Sequence, residues 1–267
     1  MLKEVKPDLV SVALPGMKCY EMLMELINEG VPILTEKPLT YDLQLAENIV
    51  NEAEKKNAFI GINFMHRYAK PVQMAYKAIE EHKIGKIAFA IWKLGQYGVC
   101  RNHIYENLIE TQCHGIDMLE YLCGEIESVQ AEMTKTSNRG YTTMGATFKL
   151  KNGAIGNYIG SYDAMERYHP SQSLEINGLL GRITIEDFVS RYTIQSMGSE
   201  ILEEWKAGLF NDEDRTIISS FDKHINAVCQ AISDKKKPPI GVDAGYRTLL
   251  IAHKIIESFE TGKRVLI

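Results

Sequence analysis

The sequence predicts an α/β fold joined to an α+β fold: a partial Rossmann-type parallel sheet, then a C-terminal domain with a large, mainly antiparallel open sheet. Three observations predict it. Residues 9–63 alternate strand and helix, the strands of that stretch are near-continuous apolar runs, and beyond Gly85 strands dominate with glycine turns between them. Apolar strands joined by helices belong to a parallel sheet covered on both faces. Runs of strands without intervening helices belong to antiparallel sheets.

The elements follow in order. Leu9–Leu14 reads as a strand, a helical stretch runs through Ile27, and Val31–Leu34 is the second strand. Leu39 to Lys56 is helical in pattern, with Leu43, Leu45, Ala46, Ile49, Val50 and Ala53 on one apolar face. Phe59–Phe64 is the third strand, and Pro71 marks the start of a helix that ends at His82, before Gly85. Ile87–Trp92 is then a strand, followed by a polar aromatic loop and a helix from Ile109 to Leu122. Ala146–Leu150 and Ala154–Tyr162 form a hairpin, whose Asn152-Gly153 is expected to supply the two positive φ angles of a type I′ turn. Leu174–Gly178 and Arg182–Ile185 form a second hairpin, residues 220–233 and 243–259 return to helix, and Val265–Ile267 is a short final strand. The expected domains are 1–84, a partial dinucleotide-binding domain, and 85–267, an α/β domain for substrate binding and oligomerisation.

Composition narrows the function. With 267 residues, 45% of them hydrophobic and 24% charged, the chain is an ordinary globular protein near the size at which single cores split. A net charge of −5 gives no electrostatic reason to expect nucleic acid, and no basic run suggests a membrane surface. Lys235-Lys236-Lys237 stands before Pro238-Pro239 and reads as an exposed turn. Five scattered cysteines without a Cys-x-x-Cys argue for a reducing compartment, against a disulfide framework and against a structural zinc site. Nothing at the N-terminus resembles an export signal, so the expected location is the cytoplasm.

Two places could carry chemistry. Thr35-Glu36-Lys37-Pro38 follows the second strand, which puts Lys37 at the carboxyl end of a parallel strand, where open α/β sheets bind ligands. The proline disfavours helical backbone at Lys37. An ammonium held there can hydrogen-bond a substrate hydroxyl and stabilise an alkoxide-like oxygen; a surface loop lysine is the equal alternative. The second place is the helix after Ile109, where Glu110, His114, Asp117 and Tyr121 share one helical face. That stripe reads as a solvated face, as a histidine base oriented by a carboxylate, or as a metal site, although His-Glu-x-x-His is absent.

Taken in order, several pieces resemble one family. They are Val-Pro-Ile-Leu-Thr-Glu36-Lys37-Pro38-Leu, Asn63-x-x-x-Arg67-Tyr-x-x-Pro71, Glu110-x-x-x-His114-x-x-Asp117, Gly178-x-x-Gly181-Arg-Ile, and an ending of Pro238-Pro239-x-x-x-Val-Asp243-x-Gly245 with Ser258-x-x-x-Gly262-Lys-x-Val. The set is similar to the glucose–fructose oxidoreductase/inositol dehydrogenase (Gfo/Idh/MocA) family across residues 7–267. The resemblance implies an oxidoreductase that uses NAD or NADP on a sugar, inositol or related polyol. It also implies a homo-dimer or homo-tetramer assembled through the C-terminal sheet. Lys37 matches the lysine that touches both nicotinamide and substrate, His114 the histidine that shuttles the hydroxyl proton, and Glu110 a position where many members have Asp. Cofactor contacts are expected from Leu14, Pro15, Glu36, Lys37, Pro38, Asn63 and Arg67. Substrate contacts are expected from Lys37, Tyr97, Arg101, His103, Asp117, Tyr162 and His169, with Arg167 and Tyr168 nearby; an aromatic rim without a binding role is the alternative for the loop residues.

The sequence departs from the family in two ways. About 60 residues, two βα units of ~30 each, would normally precede Asp8 and carry the glycine-rich turn and the ribose-binding acid. Ala13-Leu14-Pro15 with Cys19 stands where members commonly have Thr-Pro and a later histidine. Met1 is therefore expected to be an internal methionine, or the apolar first strand to be covered by an oligomer contact. The alternative function is a non-catalytic remnant with impaired cofactor binding that serves as an oligomeric or sugar-binding protein.

Overall fold

The computed structural model of the chain describes residues 2–137, 139–165, 169–208, 214 and 216–267. Contacts divide it into two compact units, Met1–Phe64 with Asp222–Leu250, and Met65–Phe221 with Ile251–Ile267.

The first unit begins with α1 (Leu2–Val5), β1 (Val10–Val12), α2 (Cys19–Glu29), β2 (Ile33–Thr35), α3 (Leu43–Lys55) and β3 (Ile60–Ile62). The strands form a three-stranded parallel sheet in the order β1-β2-β3, with Ser11 opposite Leu34 and Leu34 opposite Gly61. Leu23, Leu26 and Ile27 of α2, Ala46, Ile49 and Ala53 of α3, and Ile33, Ile60 and Ile62 of the sheet are buried. This is the two-sided burial that the continuous apolar strands imply. α2 stops at Gly30, whose φ of 70° places it in the left-handed cap position. The helix expected from Leu39 begins only at Leu43, because the Asp42 carboxylate accepts from the Leu45 N–H at 3.0 Å and so caps the helix there. Beyond β3, Gly61 bridges Gly241 antiparallel, and the Ile62 N–H donates to the Ile240 carbonyl at 3.1 Å.

The second unit holds α4 (Lys70–Glu80), β4 (Ile87–Gly95), α5 (Cys113–Cys123), β5 (Ile126–Thr134), β6 (Thr143–Leu150), β7 (Ile155–Ser161), β8 (Gln172–Gly178), β9 (Gly181–Glu186), β10 (Arg191–Ser196), β11 (Glu203–Lys206) and β12 (Val265–Leu266). The unit division passes through α6 (Ile217–Ser233) and α7 (Val242–Thr261). The nine strands are ordered β11-β10-β9-β8-β4-β7-β6-β5-β12; β4 runs parallel to β7, and the other pairings are antiparallel. One face of the sheet buries Trp92, Leu94, Phe148, Tyr158, Leu174 and Ile176 in a core shared with Ile116, Leu119 and Leu122 of α5.

Two further details differ from the sequence expectation. The boundary expected after residue 84 assigns α4 to the first domain, whereas α4 packs on β9, β10 and α5 of the second unit. Its buried residues Val72, Ala75 and Ala78 belong to the second unit's core. The β6–β7 connection is not a type I′ turn: Gly153 is left-handed with φ 90°, and Asn152 is not. Instead the Asn152 side chain donates to the Cys123 carbonyl and accepts from the Ala154 N–H, which suits a three-residue connection ending in a left-handed glycine.

Candidate active site

In the first unit the expected residues sit at the carboxyl ends of the three parallel strands. Leu14-Pro15-Gly16 follows β1, Glu36-Lys37-Pro38 follows β2, and Asn63 follows β3. The Asn63 N–H donates to the Thr35 carbonyl at 2.9 Å, so the parallel pairing carries on past the strand ends. Asn63 is buried, and its amide donates to the Glu36 carboxylate at 2.6 Å. The Asn63 carbonyl oxygen therefore faces His224 of α6, 3.0 Å from Nδ1, and this assigns the His224 proton to Nδ1. Glu36, Asn63 and His224 thus tie the ends of β2 and β3 to α6. Gly16 is required for close approach: a Cβ there would lie 2.8 Å from Pro38 Cγ. Lys37 and Glu36 are half-buried, Pro38 is buried, and Leu14 and Pro15 are exposed.

In the second unit the helix that carries His114 is not a uniform α-helix. Asn107–Gln112 is a π-helical turn that leads directly into α5. Such wide turns often mark functional sites, and this one changes the angular relation of Glu110 to His114 from the regular spacing. A buried polar network underlies it. The Tyr158 hydroxyl donates toward the Gln112 main-chain carbonyl at 2.6 Å and its side-chain carbonyl at 2.8 Å, the Gln112 amide donates to Asn107 at 3.0 Å, and the Asn107 amide donates to the Thr142 carbonyl at 2.8 Å. Gly160 leaves the room for Gln112, since a Cβ there would lie 2.3 Å from the Gln112 side chain.

Asp117 is not part of a solvated stripe. Its carboxylate is buried and accepts from Arg67 Nε at 3.1 Å and Nη2 at 2.5 Å. Burial pushes the Asp117 carboxyl above its ordinary range, and the Arg67 guanidinium opposes that rise. The same guanidinium lies 4.7 Å over the Tyr121 ring. Arg67, expected at the cofactor, and Asp117, expected at the substrate, are thus bound to each other.

The remaining expected residues are dispersed. The Tyr162 hydroxyl is bonded to Thr111, beside Glu110, and burial pushes its phenol up to about 12. Tyr97 is exposed and stacks under Arg139 at 4.7 Å. The Arg101 side chain is exposed, and its N–H is held by Glu106. His103 lies by Tyr105, and burial together with the nearby His253 pulls its imidazole below the ordinary value. His169 is exposed, with Nδ1 2.8 Å from Asp187. Arg167 and Tyr168 lie outside the described residues. Two histidines without an expectation from the sequence stand beside the predicted residues: His224, 3.0 Å from Asn63, and His66, whose ring centroid is 4.2 Å from that of His114. His66 stands inside the Asn63-x-x-x-Arg67 motif, which was the available signal.

α5 reaches this depth on the sheet through Gly115, where a Cβ would lie 2.4 Å from the Trp92 indole and 2.6 Å from the Tyr158 ring. Both rings are fully buried and cannot yield. Gly115→Ala is expected to lose about 1–3 kcal/mol through overpacking, read as a lower urea midpoint with an unchanged m-value.

Among the described residues no group of three or more His, Cys, Asp or Glu could hold a metal ion, and no helix is long and apolar enough to cross a membrane.

Residues 1–64 match the family profile described as "Oxidoreductase family, NAD-binding Rossmann fold", and residues 72–184 match "GFO/IDH/MocA C-terminal domain". The chain is similar to inositol 2-dehydrogenase of Corynebacterium glutamicum (strain R), 27% identical over 155 residues, covering 55% of this chain and 46% of that protein. It is also similar to D-glucoside 3-dehydrogenase of Escherichia coli (strain K12), 29% identical over 142 residues, covering 49% and 40%. The matches span less than half the length of these curated relatives. Among solved structures, levoglucosan dehydrogenase in complex with NADH and levoglucosan has a TM-score of 0.88 at 19% identity, covering 98% of this chain and 80% of that one. An oxidoreductase from Agrobacterium radiobacter in complex with NAD+, L-tartaric acid and magnesium has a TM-score of 0.86 at 15% identity, covering 100% and 82%. At these identities the structural likeness shows the fold alone.

Proposed function

Because the chain belongs to the Gfo/Idh/MocA oxidoreductase family, we propose that it is an NAD(P)-dependent oxidoreductase acting on a hydroxyl or carbonyl of a sugar, inositol or related polyol. The observation that carries the reading is Glu36-Lys37-Pro38 at the end of β2 in a chain whose α5 carries His114 in its first turn. Relatives named for inositol and for a glucoside support the polyol class.

The residues present fit the nicotinamide end of a dinucleotide. Leu14, Pro15, Glu36, Lys37, Pro38 and Asn63 gather at the carboxyl ends of parallel strands, where such sheets receive ligands. Residues 1–267 contain no Gly-x-Gly to cradle a pyrophosphate. The bound nicotinamide supplies a two-electron acceptor or donor. Lys37 binds the reacting oxygen and stabilises the negative charge that grows on it. His114 takes the hydroxyl proton in oxidation and returns it in reduction. Glu110 orients or assists His114, and the Arg67–Asp117 pair holds the helix that carries both.

Titration with NADH followed by fluorescence, and then a polyol panel of inositols, glucosides and anhydrosugars, tests the proposal. Nicotinamide-dependent turnover of one of these classes is the expected result. NADH binding without turnover of any of them would favour a sugar-binding or oligomeric role, and no binding by the full-length protein would overturn the proposal.

The other face of the nine-stranded sheet supports self-association. Phe89 and Ile91 of β4 and Ile155 and Ile159 of β7 are 40–50% exposed and lie on neighbouring strands, with Phe89 opposite Ile155. A continuous apolar patch of this kind marks a contact surface. A homo-dimer or homo-tetramer through this face is expected, and Ile155→Glu with Ile159→Lys is expected to reduce the mass in light scattering to that of a monomer, 30.2 kDa.

A further inference from the structure

We propose that His66 is a positioning residue for His114: its imidazole, clamped by Phe188, holds the His114 ring in the orientation from which it exchanges a proton with substrate. The role in proton exchange rests on the reading of His114 given above; the clamp itself rests on contacts within the second unit.

His66 belongs to a 3₁₀ turn, Met65–Tyr68, and is only 4% exposed. Its ring stacks on Phe188 with centroids 4.0 Å apart at 14°, and meets His114 at 4.2 Å and 61°. Edge-to-face geometry is the arrangement that flat rings prefer, and it defines an orientation that an aliphatic neighbour would not. An aliphatic residue would also fill the space without burying two ring nitrogens.

The clamp is held from both sides. Phe188 reaches His66 through two consecutive left-handed residues, Asp187 at φ 46° and Phe188 at φ 52°. A bulky aromatic residue rarely adopts that conformation, and it persists only where its surroundings over-determine it. Here the Asp187 carboxylate accepts from the Ser171 N–H at 2.8 Å, the Ser171 hydroxyl at 3.1 Å and the Gln172 N–H at 3.1 Å, and it meets His169 at 2.8 Å. The Phe188 ring also lies 5.2 Å from Trp92. On the other side Arg67, the next residue after His66, grips Asp117, one turn beyond His114 on α5. The 3₁₀ turn therefore touches α5 at His114, at Asp117 and, through the Arg67 guanidinium, at Tyr121. The left-handed backbone at Phe188 thus sets a buried flat ring against both His66 and Trp92.

The test compares His66→Ala, His66→Leu and His66→Phe in the full chain by steady-state kinetics. It also follows the ¹H–¹⁵N imidazole signals of His114, assigned by their loss in His114→Ala. His66→Ala and His66→Leu are expected to lower kcat about a hundred-fold, the penalty of a ~1 Å misplacement, with KM within about two-fold. His66→Phe, which keeps a flat ring, is expected to recover most of that loss. The His114 signals are expected to shift or broaden in the alanine and leucine variants and to return in the phenylalanine variant. Wild-type kcat with unmoved His114 signals in His66→Leu would overturn the proposal, and so would a rise in KM alone. If the wild type turns over no polyol, the proposed function fails and the spectra decide by themselves: unmoved signals overturn the clamp, shifted signals support it.

Discussion

His114→Ala is expected to lower kcat by about 10²–10⁴-fold, the usual contribution of a positioned base to a proton transfer. Lys37→Ala is expected to lower it by about 10²–10³-fold, the effect of removing one donor to a developing oxyanion. The two losses differ in kind. Without His114 the substrate hydroxyl keeps its proton until water takes it, so the acid limb of the kcat profile should flatten while NADH affinity stays unchanged. Without Lys37 the growing charge on oxygen loses its counter-ion, so the loss should persist across pH. The double variant is expected to be little worse than the poorer single variant, because groups that serve one transition state do not contribute additively. Both side chains are partly exposed and outside the main core, so folding should be unaffected in either variant. Full kcat in His114→Ala or in Lys37→Ala would remove that residue from the mechanism.

The sequence exposed the parallel sheet because β1, β2 and β3 are short apolar runs whose flanking helices carry plain amphipathic faces. The β8–β9 hairpin was equally legible, since Leu174, Ile176, Ile183 and Ile185 alternate inward and pair across the strands. β5, β10 and β11 lie outside the strands that the sequence predicts. β5 buries Ile126, Ser128, Val129 and Ala131, and its shift in register between Ile126 and Ser128 breaks the two-residue period. Periodicity shows that α4 has an apolar face but not which sheet receives it, so a boundary drawn from a change in texture put α4 in the wrong place relative to its contacts. No local signal marks the return of residues 222–250 to the first unit, because a helix that changes partners midway keeps one amphipathic pattern.

For the proposed site, the strand-end position points to Lys37 and the helical spacing points to His114. The same spacing misled at Glu110, where the π-helical turn departs from the 3.6-residue period. It also misled at Asp117, whose partner lies 50 residues upstream. A charged residue on a helix reads as solvated until its counter-ion is located. Nothing local marks His66, since its neighbours Phe188 and His114 are far away along the chain.

Arg67→Ala is expected to be the most destabilising single change at a charged residue. Arg67 is 22% exposed and Asp117 2% in their side chains, so the pair is buried on the carboxylate side. Removing one partner of such a pair typically costs about 3–5 kcal/mol, because the other charge is left without compensation. At ~2–4 °C per kcal/mol for a chain of this size, Tm should fall by roughly 6–20 °C. The sign of the pH dependence follows from Asp117. Burial already raises its carboxyl, and without the guanidinium nothing opposes that rise. A carboxyl raised in the folded state binds its proton more tightly there than in the unfolded chain, so stability is greatest at low pH and falls as pH rises from about 4. The gap between Arg67→Ala and wild type should therefore widen between pH 4 and pH 7 in urea denaturation. Asp117→Asn keeps the shape, removes the buried charge and leaves Arg67 some access to water, so its loss should be smaller and nearly independent of pH. Replacing both residues by apolar ones of similar volume should recover much of the stability, but the 3₁₀ turn would then lose its grip on α5 and kcat should stay low. Equal stability of Arg67→Ala and wild type at pH 7 would reduce the pair to a surface bridge worth ~0–1 kcal/mol and would remove one of the two anchors of the His66–His114 contact.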